Sequence, residues 1–166
     1  MLILSNALSQ NADEGCIKVA SSLVKRIKND HPSVTVVSYE RQSPFADEHL
    51  SLNKLLISKK LFRILRKHRG NVLYIPFPAK TIATAIRVFV LSLMQKGRLD
   101  VMLVMKSQMN PMAKALVKLS GSNIIVLSKD AYDFYADFID KSKITYLKTG
   151  VDTDKFVPVN DEQKAL

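Results

Sequence analysis

Short runs of aliphatic and β-branched residues recur along this chain, and the segments between them carry apolar residues at helical spacing. Strand, helix, strand in regular alternation leaves few folds open, because crossover helices join their strands in parallel. The strand-like runs are Leu2–Leu4, Val34–Tyr39, Val72–Ile75, Asp100–Met105, Asn123–Leu127 and Ile144–Leu147. Val34–Tyr39 is continuous enough to expect burial on both faces. After Gly15, the residues Ile17, Ala20, Val24 and Ile27 fall on one face of a helix that His31-Pro32 ends. Glu40–Asn53 reads as a long polar loop. A second helix is expected to start within Leu52–Ile57 and to end at Gly70, which would cap it. Lys80–Lys96 is apolar enough to expect a largely buried helix. Pro111 suits the first turn of a helix reaching Leu119. Ser128 suits the N-cap of a last helix, whose Ala131, Phe134, Tyr135 and Phe138 share a face. The expected fold class is α/β: a doubly wound, mostly parallel Rossmann-like sheet of six strands flanked by helices. Its ligand crevice would lie at the carboxyl ends of the strands.

At 166 residues, 47% of them hydrophobic, the chain is expected to form one domain with a real core and is too apolar for a disordered tail. Its net charge of +10 points to an anionic partner: nucleic acid, an acidic membrane surface or a phosphorylated substrate. A single cysteine, Cys16, excludes a disulfide framework, so a reducing, cytoplasmic setting is expected. Met1–Leu4 is too short for a signal peptide. The most apolar run, Ile82 to Met94, is interrupted by Arg87 and falls short of the roughly 20 residues that span a bilayer. There is no G-x-G-x-x-G and no Walker A sequence, which argues against a self-sufficient dinucleotide or nucleoside-triphosphate site. His31, His49 and His68 have no metal-ligand spacing, so no metal is expected.

Several places could carry chemistry. Glu14-Gly15-Cys16-Ile17-Lys18 opens the first helix, where free backbone N–H groups and the helix dipole suit an anion. The same residues also read as a plain loop–helix junction. Cys16 there is either a thiol of lowered pKa or a small buried apolar side chain. In the helix around residues 57–68, Ile57, Leu61, Phe62, Ile64 and Leu65 fill one arc and Lys59, Lys60, Arg63, Arg66 and Lys67 the opposite one. Such a basic face meets anionic lipid headgroups or simply solvent. Leu52, Leu55 and Leu56 are either apolar anchors beside these charges or a separate turn packed on the core. With Phe62 alone among the basic residues, and on the apolar arc, nucleic acid is not an expected partner. Lys106 and Ser107 end the fourth of the strand-like runs, where a cation could hold an anionic acceptor or stand as a loop charge.

The last strand-like run leads into Lys148-Thr149-Gly150-Val151-Asp152-Thr153-Asp154-Lys155-Phe156-Val157-Pro158. This order resembles the interdomain crossing of retaining, group 1 glycosyltransferases of the GT-B fold, where a strand precedes Asn-Gly-Val-Asp-x-x-x-Phe-x-Pro. Gly150, Val151, Asp152, Phe156 and Pro158 match at the right spacing, and Thr149 stands where the family has Asn. Ile124-Ile125-Val126-Leu127-Ser128 also matches the family's apolar strand ending in Ser. The match is specific only over Ile124–Pro158. It departs from the pattern in the first loop, where Gly15 matches the second of two family glycines and Glu14 replaces the first; a carboxylate there repels a phosphate. It departs again at Lys106 and Ser107, where the family often has a His.

The resemblance implies that residues 1–157 form the N-terminal, acceptor-side domain and that 158–166 begin the linker to a C-terminal domain absent from this sequence. It implies transfer of a sugar from a nucleotide-sugar donor, held mainly by that second domain, to a glycan or lipid-linked acceptor. The cleft residues would be Glu14, Gly15, Lys18, Lys106, Ser107, Gly150 and Asp152. No cofactor would be held by this domain, and the fragment alone would be inactive. Two rival classes stand beside it. One is a peripheral membrane-binding or scaffolding module resting on the basic helix, at the inner face of the membrane. The other is a small flavodoxin-like binding protein, disfavoured by the lack of a Ser/Thr-rich first loop.

Overall fold

The computed structural model describes residues 1–6, 8, 15–40, 43–52, 56, 58–68, 70–77, 82–104 and 109–148. Its elements are β1 (Leu2–Ser5), α1 (Gly15–Asp30), β2 (Thr35–Tyr39), β3 (Glu48–Leu50), α2 (Lys59–Lys67), β4 (Val72–Ile75), α3 (Ile82–Met94), β5 (Leu99–Leu103), α4 (Pro111–Ser120), β6 (Asn123–Val126), α5 (Lys129–Ala136) and β7 (Ile144–Tyr146). A single 3-10 turn, Lys141–Lys143, precedes β7. All neighbouring strands pair in parallel, in the order β3-β2-β1-β4-β5-β6-β7. The expected α/β class is therefore what the chain adopts, with the sheet wholly parallel.

The chain winds outward from β1 to β3, and α2 then returns it to the other side of β1. Right-handed crossovers place helices on opposite faces when the winding direction reverses. Accordingly Ala20 and Val24 of α1 pack with Ile3, Val36, Leu73 and Ile75. Helices α2 to α5 cover the other face, where Leu2, Leu4, Val37, Tyr39, Val72 and Tyr74 point. Leu2, Ile3 and Leu4 are all fully buried, because alternate side chains of a central strand meet helices on both sides.

Two expectations are corrected and one alternative is resolved. The segment expected to be loop between Tyr39 and Asn53 contains β3, a seventh strand. It spans three residues, of which only Leu50 is buried, so it carries no readable alternation. Helix α2 begins at Lys59, where the Ser58 side chain accepts from the Lys60 N–H, and it ends at Lys67, with His68 as its C-cap instead of Gly70. The choice left open for Leu52, Leu55 and Leu56 resolves toward the core for Leu56, fully buried there, and for Leu52, packed against it, while Leu55 lies outside the described residues. Helix α3 is buried or half-buried along its length, as expected, except at one position. Ala85, Val88 and Leu91 face the sheet, whereas Leu93 is 71% exposed, because no described element covers the outer side of this layer.

Candidate functional site at the carboxyl ends of the central strands

Winding reverses between β1 and β4, and in open α/β sheets ligands bind in the crevice outside the strands' carboxyl ends at that point. Here polar residues at the ends of β1 and β2 hold each other and the backbone at the end of β4. Ser5 Oγ donates to the Ile75 carbonyl at 2.9 Å. Asn6, 4% exposed, sits at the centre. Its Nδ2 donates to Glu40 Oε2 at 2.8 Å and to the Phe77 carbonyl, and its Oδ1 accepts from the Phe77 N–H at 2.8 Å. One buried amide thereby ties together the exits of β1, β2 and β4.

Glu40 follows β2 directly and has φ 63, the left-handed region that a residue with a Cβ rarely enters. Its other oxygen, Oε1, accepts from Arg87 Nη2 at 3.2 Å. The Arg87 side chain is 9% exposed and that of Glu40 is 45% exposed, so the cation is buried and the carboxylate reaches solvent. Beneath them, the Tyr39 and Tyr74 hydroxyls lie 2.8 Å apart, and the Arg87 guanidinium stands 5.9 Å from the Tyr39 ring centroid. A buried guanidinium requires a counter-charge and hydrogen-bond partners, and this arrangement supplies them.

Burial, and then the neighbouring Tyr74, raises the Tyr39 hydroxyl far above the ordinary tyrosine range. Tyr74 is pushed up to about 12 by burial, against the lowering effect of the Tyr39 hydrogen bond and of Arg87. Burial alone would lower Arg87; the oxygens of Tyr74, Tyr39 and Glu40 more than offset this, so it titrates above the ordinary arginine value. The two tyrosines are thus neutral and Arg87 cationic at physiological pH. A carboxylate has about four acceptor sites. Among the described residues, two of those on Glu40 are taken, by Asn6 and Arg87. Among those same residues, the charge of Arg87 is balanced by Glu40.

Of the cleft residues expected from the sequence, Glu14, Lys106, Ser107, Gly150 and Asp152 lie outside the described residues. Gly15 is the exposed first residue of α1, and a Cβ placed on it would meet nothing within 4 Å, so packing does not demand glycine there. Lys18 is exposed one turn further on. Cys16 is half-buried and unpaired by any disulfide. Lys59, Lys60, Arg63, Arg66 and Lys67 are all exposed on α2. Phe62 departs from its expected place on the apolar arc. It is 42% exposed, with the Arg66 guanidinium 5.4 Å from its ring centroid, because the buried arc is only as wide as Leu61, Ile64 and Leu65. Among the described residues no three His, Cys, Asp or Glu are grouped to hold a metal ion.

Sequence reasoning did not single out Asn6, Glu40 or Arg87. Arg87 carried a usable signal, since a lone cation inside the most apolar run of the chain needs a partner. Glu40 carried a weaker one, as a carboxylate directly after a buried strand.

Fold and strand-end network together define an α/β protein with a doubly wound, all-parallel sheet and a polar switch-point crevice. No family model matches the chain, and no curated protein matches it in sequence.

Proposed function

We propose that this chain is the acceptor-side domain of a retaining GT-B glycosyltransferase, which moves a sugar from a nucleotide-sugar donor onto a hydroxyl of a glycan or lipid-linked acceptor. The observation that carries the reading is the run Gly150-Val151-Asp152, with Phe156 and Pro158, following β7 in sequence. Two features of the structure support it. The sheet is a seven-stranded parallel one whose last strand is an edge, a suitable place for the chain to depart toward a second domain. At the switch point a half-exposed carboxylate, held by Asn6 and paired with Arg87, stands at the strand ends, where it can accept from hydroxyl donors. That suits a domain that seats a polyhydroxylated acceptor.

Saturation-transfer NMR on the chain with methyl α-mannoside, methyl α-glucoside and UDP-glucose tests this reading. The expected result is transfer to the glycoside ring protons, weakened in Glu40→Gln at a temperature where the variant remains folded, with no sugar transfer catalysed by the chain alone. Product formed from a nucleotide sugar by the isolated chain would overturn the assignment. So would a protein that purifies yellow with bound flavin.

A further inference from the structure

The outer side of the helical layer is not an ordinary solvated surface. Helices α2, α3 and α4 contain no Asp or Glu, yet α2 alone carries Lys59, Lys60, Arg63, Arg66 and Lys67. Among the described residues, the one ion pair of these five is Lys60 with Glu48, at 3.9 Å and with both side chains exposed, which is worth little. Alongside them stand large exposed apolar side chains: Leu93 and Leu119 at 71%, Met112 at 58% and Phe62 at 42%.

Topology brings these features together. In a parallel sheet each crossover helix runs from the carboxyl edge back to the amino edge, so α2, α3 and α4 end at the same edge. Leu93 lies near the end of α3, Leu119 near the end of α4, and Arg66 and Lys67 at the end of α2. Helices α3 and α4 pack directly against each other. Exposed Lys96 and Lys118 flank the two leucines. The single-sign surface stops at α5, where Asp130, Asp133 and Asp137 are exposed.

We propose that the outer face of α2, α3 and α4 docks on an anionic lipid bilayer, with Leu93, Leu119 and Phe62 entering the headgroup region and the α2 cations contacting lipid phosphates. Exposed apolar side chains beside cations, on helices that contain no acids, match an interface that is both anionic and greasy. A second copy docked by two-fold symmetry would set like charges against each other. Nucleic acid would leave the aliphatic side chains without a role, since base stacking needs aromatic faces. The docking face shares no residue with the Asn6–Glu40–Arg87 crevice and does not depend on the transfer reaction.

Cosedimentation with phosphatidylcholine vesicles, with and without phosphatidylglycerol, tests the proposal. The chain is expected to pellet only with the anionic vesicles and to be released by salt. The double variant Leu93→Ser/Leu119→Ser and the triple variant Arg63→Ser/Arg66→Ser/Lys67→Ser should each weaken binding by about tenfold or more, at unchanged melting temperature. Because the two variants remove different groups, either one decides the matter if the other fails to fold. Equal binding to neutral vesicles, no pelleting, or wild-type binding by a folded variant would overturn the proposal. So would a dimer that Leu93→Ser/Leu119→Ser dissolves, or tighter binding to single-stranded RNA than to vesicles at the same salt.

Discussion

At Glu40 two opposing effects can be separated by substitution. The left-handed backbone at φ 63 costs about 1 kcal/mol in any residue with a Cβ. The carboxylate in return pairs with Arg87, whose side chain is 9% exposed. Because Glu40 itself is 45% exposed, the loss on breaking this pair falls well below the cost for a fully buried one, at about 1–2 kcal/mol. Glu40→Ala keeps the strain and loses the pair, whereas Glu40→Gly loses both. Thermal unfolding should therefore rank wild type above Glu40→Gly and Glu40→Gly above Glu40→Ala; equal melting temperatures for the two variants would mean that the backbone carries no strain. The tyrosine pair makes a pH prediction. Both hydroxyls titrate above the ordinary value of 10.0 in the fold, so the folded state retains protons that the unfolded chain releases. Their contribution is complete below pH 10 and is lost as pH rises above it, by at most about 1.4 kcal/mol per pH unit for each group. Denaturant titrations across that range should show a shallower alkaline decline for Tyr39→Phe/Tyr74→Phe than for wild type. None of this partnership was legible locally. Arg87 announced a need for a counter-charge, but Glu40 lies 47 residues away in sequence, and only the parallel winding of the sheet brings the two together.

Among the elements, helix ends divide into those the sequence showed and those it concealed. Ser128 was readable as a cap, and its Oγ accepts from the Ala131 N–H at 3.2 Å. Ser128→Ala should cost about 1 kcal/mol, measured as a lowered denaturation midpoint at constant m-value. Gly121, at φ 65, closes α4 in the left-handed conformation, so Gly121→Ala should cost a similar amount, about 1 kcal/mol, through backbone strain. Gly70, in contrast, looked like a cap and is not one. Helix α2 stops at Lys67 because Leu65 is its last core-facing residue, and beyond it no further apolar side chain holds the helix to the sheet. Strand β3 was concealed for the complementary reason: two of its three residues are exposed, and the strand exists through its pairing with β2.

For the whole molecule, burial grades outward from β1 and β4. Every residue of these two strands is buried, whereas β7 buries only Ile144. Amide hydrogen exchange should therefore be slowest in β1 and β4 and fastest in β3 and β7, where pairing is one-sided. Slowest exchange at β7 would show a covering that the described residues do not supply. The two faces of the sheet also differ, since α1 is the one described helix on its side and four helices share the other.

The order of strand and helix was written in the sequence, because alternating runs of different hydrophobic period permit little besides a parallel α/β sheet. So were the capping serine at 128 and the basic stripe of α2, since each depends on residues within one or two turns. Which apolar residues remain outside was decided only by packing: composition records that α3 tolerates burial, while the neighbours available to cover it determine that Leu93 stays exposed. The switch-point cluster was decided in the same way. Asn6, Glu40 and Arg87 become neighbours when distant strands pair in register, and that register is set by the cooperative burial of the whole core, which no local window of residues contains.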